Sequence, residues 1–374
     1  MPQNHLVLHF DVNKTILVDD KVQGIDTQTS CAQMLYWSSW GHCTRDGRSW
    51  VWNGQAPSLN SEDPTAMLYG DFVREQRTPR RHLWRLKRDF VKPGQPGEAL
   101  RPYFDGMMEA LAIPDEARGA LESAPWAKRA GLTRGWRRLL PSFLSLLQNL
   151  RSEGRRCSLV FRTFGSDLPE VALELNAFCE GRHPLYPGVK MDGTTGPFDM
   201  RLDLDDPERF GAFHRGGVSG DDADAFFLAL GTLDNPTGRD KPPFPSALDF
   251  FTSRAHRGVE ERVPLRELTM SGGCIGLRDD YAHWARARFS TRAGKPFYID
   301  PTQPGVHEVF FDDNVFADED RIVDARDVKT GAGLPSHLTR GAHVVRVSPF
   351  DAIMKGDYFV EALRLAEALR SDTA

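Results

Sequence analysis

Apolar positions along this chain follow two periods. Short continuous runs mark strands covered on both faces: Leu6 to Phe10, Cys157 to Phe161, Val306 to Phe311 and Val344 to Val347, with Cys274 to Leu277 fitting a strand or a turn. Helical spacing appears in Thr27 to Trp40 (Cys31, Met34, Leu35, Trp37), in Leu139 to Leu150 with Gly154 just beyond as a stop, in Leu168 to Glu180, in Asp279 to Arg288, and in Tyr358 to Leu369. Helix, glycine turn and strand around Gly154 make half of a doubly wound unit. The fold class expected is α/β, with a doubly wound, mostly parallel sheet.

Two stretches break this alternation. Gly41 to Leu132 is irregular and rich in Trp, Arg and Pro, and reads as an insertion. Gly181 to Pro264 is rich in Pro, Gly and Asp and reads as a second variable region with two short helices. The expected organisation is a core of residues 1–40 and 133–374, with 41–132 inserted and 181–264 a second insertion.

Composition narrows the class without naming a chemistry. The 374 residues exceed one small core, at about 150 residues per domain. A net charge of −5 provides no general attraction to nucleic acid or to an anionic membrane. No apolar run reaches spanning length and no signal-peptide pattern opens the chain, so a cytoplasmic protein that makes no membrane contact is expected. Five dispersed cysteines without a C-x-x-C pair fit reduced thiols better than disulfides or zinc ligation.

Candidate chemistry sits where the strands end. The first run delivers Asp11, the second Thr163 in V-F-R-T-F-G, and the third Asp312 and Asp313 in V-F-F-D-D-N. In a parallel sheet these ends share one edge, where open α/β folds bind ligands. Three acids there call for a cation, and Mg²⁺ suits one or two carboxylates plus phosphate oxygens. Each residue alone has a plainer reading: Asp11 as a turn or cap residue, Thr163 as a helix-capping hydroxyl, Lys295 as a solvated lysine.

The string D-V-N-K-T-I from Asp11 to Ile16, with Thr163, Lys295 in A-G-K-P and the Asp312–Asp313 pair in that order, resembles the motif set of the haloacid dehalogenase-like superfamily. The resemblance implies a Rossmann-like core with 41–132 as a cap domain, and a Mg²⁺-dependent hydrolase acting on a phosphorylated small molecule. It implies Asp11 as the nucleophile that becomes an aspartyl-phosphate, and Thr163, with Thr15, as binding the phosphoryl group. Lys295 would neutralise it, and Asp11, Asn13, Asp312 and Asp313 would hold the metal. Phe297 to Ile299 after Lys295 reads as a strand rather than the helix usual in the family.

The family's second aspartate, its general acid/base, is Asn13 here. An amide keeps binding and loses proton transfer, which implies slow turnover or, as the rival, a pseudo-phosphatase serving as a binding or regulatory module. Asp20, Asp318 and Asp320 are candidate substitutes. The one strongly basic stretch, Arg74 to Lys92, offers Arg80, Arg81 and Arg85 as a substrate-binding cap surface, against a solvated helix face balanced by acidic loops such as Asp203 to Glu208 and Asp221 to Asp224. Nucleic-acid binding rests on that stretch alone.

Overall fold

The computed structural model describes residues 5–19, 24–196, 199–215, 226–234, 257–259, 266, 268–270, 272–315 and 322–373. Its strands in chain order are β1 (His5–Asp11), β2 (Trp40–Cys43), β3 (Trp50–Trp52), β4 (Met67–Leu68), β5 (Cys157–Thr163), β6 (Phe210–Arg215), β7 (Phe226–Leu230), β8 (Arg257–Val259), β9 (Gly273–Arg278), β10 (Lys295–Ile299), β11 (Val306–Asp312), β12 (Val323–Asp327) and β13 (Val344–Arg346). An eight-stranded sheet runs β13-β11-β1-β5-β9-β6-β7-β8. It is parallel from β13 through β6, and antiparallel where β7 and β8 join the edge.

Every residue of β1 is buried, as a central strand covered on both faces requires. Alternation divides them. Leu6, Leu8 and Phe10 face the helices Pro141–Ser152 and Tyr358–Thr373, where Phe10 stacks on Phe311 at 4.9 Å and meets Phe143 edge-on at 5.1 Å. A fully buried phenylalanine of this kind contributes about 1.5–3 kcal/mol by leaving water. On the opposite face His9 lies between Phe297 of β10 and Phe310. Burial pushes the His9 ring well below the ordinary histidine range, so it packs there as a neutral ring.

A parallel pair, β10 with β12, covers that second face. Its start is set by backbone contact: Lys295 N–H donates to the Ile322 carbonyl at 2.6 Å, and a Cβ on Gly294 would collide with that same carbonyl. The strand expected after Lys295 is therefore present, with the lysine as its first residue.

Several expectations are corrected. The stretch 181–264, expected as a loop-rich second insertion, contributes β6, β7 and β8 to the central sheet, because pairing to β9 and within the meander supplies what weak local patterning does not. The stretch 41–132, expected as irregular, holds β2, β3 and β4 in a small antiparallel sheet, and the helices Tyr69–Glu75, Arg80–Asp89, Arg101–Leu111, Asp115–Glu122 and Pro125–Ala130. These helices are short and lean on neighbours; Tyr36, Tyr69 and Phe90, for example, pack as one aromatic group. The helix expected over Asp279 to Arg288 spans Tyr281–Arg286, with Asp280 as its cap accepting from His283 N–H at 3.0 Å. All five cysteines are free thiols, and no helix among the described residues is long and apolar enough to cross a membrane.

Candidate active site

The sheet's order reverses around β1: β5 and β9 extend one way, β11 and β13 the other. The crevice outside the carboxyl ends of β1 and β11 is such a switch point. Asp11 ends β1 opposite Arg162 of β5, and Asp312 ends β11. Between Val12 and Leu17 the chain folds on itself: Ile16 and Leu17 N–H donate to the Val12 carbonyl at 3.1 and 2.8 Å, and Lys14 takes φ +63°. This tight loop turns Thr15 back, so that its hydroxyl donates to Asp11 Oδ2 at 3.5 Å and accepts from the Asp313 N–H at 3.2 Å. The loops after β1 and β11 are thereby tied together.

Lys295 closes the site from β10. Its Nζ bonds Asp11 Oδ1, and it donates to Asp312 Oδ2 at 2.8 Å. Lysine and Asp312 are fully buried and Asp11 nearly so. Arg162 steadies this reach: its Nη1 donates to the Pro296 carbonyl, next to Lys295, at 2.9 Å, while its fork grips Asp279 at 2.5 and 3.0 Å.

Asp11, Asp312 and Asp313 each offer a carboxylate oxygen, all within 4.8 Å of one another, and the Lys295 ammonium pairs with Asp11 and Asp312. Burial raises Asp11 well above the carboxylate range, and Asp312 and Asp313 add to the shift against the pull of Lys295. Burial and then Asp312 push Asp313 up to about 7. For Lys295 burial works against the charge, but Asp11 and Asp312 outweigh it and raise the ammonium above an ordinary lysine. The excess negative charge suits a divalent cation, which takes oxygen ligands in such a cradle.

On the adjoining wall Thr163 and Asn13 meet: the Thr163 hydroxyl donates to Asn13 Oδ1 at 3.4 Å and accepts from Gly165 N–H at 2.8 Å. Asn13 Nδ2 donates to Asp167 Oδ2 at 3.2 Å and to the Asp19 carbonyl at 3.4 Å. The structure thus joins Asp11, Thr15, Lys295, Asp312 and Asp313 directly, with Asn13 and Thr163 paired beside them.

It does not bring Arg85 in. That side chain is 79% exposed and pairs only loosely with Asp89, at 3.8 Å, so Arg85 lies on a solvated face. The side chains of Arg80 and Arg81, and the candidate acids Asp20, Asp318 and Asp320, lie outside the described residues, as do Asp221 to Asp224. Three nearby residues are not marked by any motif in the sequence: Asp167, Asp279 and Arg162. Arg162 carried a signal, since a charge inside a buried run must find a partner. Comparison with protein-family models, curated proteins and solved structures finds no match to this chain.

Proposed function

We propose that this chain is a Mg²⁺-dependent phosphatase or phosphotransferase of haloacid dehalogenase-like type, with residues 41–132 as its cap, acting on a phosphorylated small molecule. The observation that carries the reading is Lys295 bonded to both Asp11 and Asp312, three residues from three strand ends drawn to one point. Asp11 Oδ attacks phosphorus, the bond from phosphorus to the ester oxygen breaks, and the departing alkoxide takes up a proton; water then cleaves the aspartyl-phosphate and releases inorganic phosphate. Lys295 pulls Asp11 toward its ionised form against burial and would neutralise charge on the phosphoryl oxygens, while Thr15 holds Asp11 in line. A Mg²⁺ ion held by Asp11, Asp312 and Asp313 would offset the remaining carboxylate charge and polarise the phosphoryl group.

The leaving group receives no proton from Asn13, whose amide is held by Thr163 and Asp167. That arrangement favours slow turnover, and it also supports a second reading as a module that binds phosphoryl compounds without cleaving them. The test is phosphate release from a panel of phosphate esters with and without Mg²⁺, alongside melting with Mg²⁺ and tetrafluoroaluminate. Metal-dependent release abolished by Asp11→Asn supports the enzyme. A melting shift without release supports the binding module, and neither response overturns both.

A further inference from the structure

Two ammonium groups contact one face of the helix Thr27–Ser38, and one of them belongs to the loop that follows Asp11. Lys14, in the loop between Asn13 and Thr15, donates from Nζ to Gln33 Oε1 at 3.3 Å. Lys87, on the helix Arg80–Asp89, holds its Nζ 5.1 Å from the Trp37 ring centroid and 5.8 Å from that of Tyr36. Gln33, Tyr36 and Trp37 stand at i, i+3 and i+4, so the two lysines contact one helix face a single turn apart. The charge of Lys14 acts on Asp313 on one side and on Lys87 on the other.

The neighbours of Lys87 on its own helix show what compensation looks like. Arg88 grips Asp89 at 2.6 and 2.8 Å and stacks over Trp84, and Lys92 pairs with the same carboxylate at 2.6 Å. Among the described residues neither Lys14 nor Lys87 has a carboxylate partner within ion-pair distance. A half-buried ammonium beside a second one carries a cost that aromatic faces offset only in part. Burial, and then the charge of Lys14, pull Lys87 below the ordinary lysine range.

We infer that Lys14 and Lys87 form a second anion site adjoining the carboxylate cluster, and that the substrate carries a phosphate or carboxylate beside the phosphoryl group Asp11 attacks. This rests on the phosphoryl-transfer reading above and narrows its substrate class to small molecules with two anionic groups. Lys87 would also tie that substrate to the segment 41–132, which carries the helix Arg80–Asp89.

The experiment measures binding of inorganic phosphate, pyrophosphate and 3-phosphoglycerate to the full chain with Mg²⁺, by calorimetry. The two larger probes separate a second phosphate from a carboxylate. The parent should prefer at least one of them over phosphate by about tenfold or more, the range of a charge-assisted contact. Lys87→Met keeps the stem against Trp37 and should erase that preference while leaving phosphate affinity unchanged; Lys87→Arg should restore it. Lys87→Gln provides the same reading if the methionine variant does not fold. A preference that survives both neutral variants, or an equal loss for all probes, overturns the second anion site. A parent that binds phosphate without preference overturns it too, whereas a parent that binds no phosphate overturns the phosphoryl-transfer reading itself.

Discussion

Two buried ionic groups flank β10, and they are built on opposite plans. On one side Arg162 meets Asp279 one to one, fork against carboxylate, between the rings of Phe213 and Phe310. Nearby Arg215 and Arg326 share Asp324, at 3.2 and 2.8 Å, and Arg215 also reaches the carbonyls of Gly294 and Arg292 at 2.6 Å. On the other side Asp11 and Asp312 share Lys295, with the Asp313 carboxylate within 4.8 Å of theirs. Burying ions costs several kcal/mol each, which only matched partners and full hydrogen bonding offset. The Arg162–Asp279 pair meets that condition, and Arg162 and Arg215 fasten the β10 layer to the sheet. The aspartate group does not, and such an imbalance stays in a fold where a proton or a cation completes it. Arg162 and Asp279 balance one to one, whereas the aspartate group holds more carboxylates than ammonium partners.

The largest effect expected from disturbing this contrast lies at Asn13. Asn13→Asp would set a second carboxylate about where the amide now stands, 3.2 Å from Asp167. Two carboxylates that close share a proton, which leaves one of them protonated nearer neutral pH, as a general acid must be. Phosphate release from an alkyl ester should rise by up to about 10² to 10⁴. A variant that binds Mg²⁺ and phosphate yet turns over no faster would remove Asn13 from the leaving-group side.

Next comes stability. Asp279→Asn leaves Arg162 buried without its counter-charge and should cost about 3–5 kcal/mol in urea unfolding. Asp313→Asn, taken from the group with excess negative charge, should instead stabilise the metal-free chain. Equal losses from the two substitutions would erase the distinction drawn between the groups.

A smaller effect follows from pH. Asp313 titrates at about 7 in the folded chain, above an unfolded aspartate, so between these values the folded state keeps a proton that the unfolded state has released. Its contribution to stability therefore falls as pH rises through that interval, and the penalty is complete above about 7. The melting advantage of Asp313→Asn without metal should widen from pH 5 to pH 8 and vanish in saturating Mg²⁺. Buried His307 and His343, held down to about 3 and about 4, act in the opposite sense below the ordinary histidine range, but they are common to both proteins and cancel in the difference. A constant advantage across that range would mean Asp313 is already ionised at low pH.

The smallest effect belongs to Arg85→Gln. Its exposed side chain and long contact to Asp89 predict a change within about 0.5 kcal/mol and unaltered phosphate binding. A clear loss of binding would return the outer face of the helix Arg80–Asp89 to the substrate.

The elements legible in the sequence share a physical cause. Strands buried on both faces, such as β1 and β11, are apolar along their whole length, and the acids that end them stand out against it. The helix Pro141–Ser152 declares itself by period and by Gly154, whose φ of +64° ends it. Lys295 stood out only through its likeness to a motif, because nothing local marks a lysine that is charged and fully buried. Other features depend on partners far along the chain. Pairing to β9 makes strands of β6 to β8, and Asp279 answers Arg162 across 117 positions. Within Arg85 to Arg88, composition treats three cations alike; the rotation of one helix turns Arg85 to water, Arg88 to Asp89, and Lys87 to Trp37 and the loop after β1. Residue type and period are properties of a short stretch of chain, so they survive in sequence. Which charge finds a counter-charge depends on surfaces that meet only after the chain has packed.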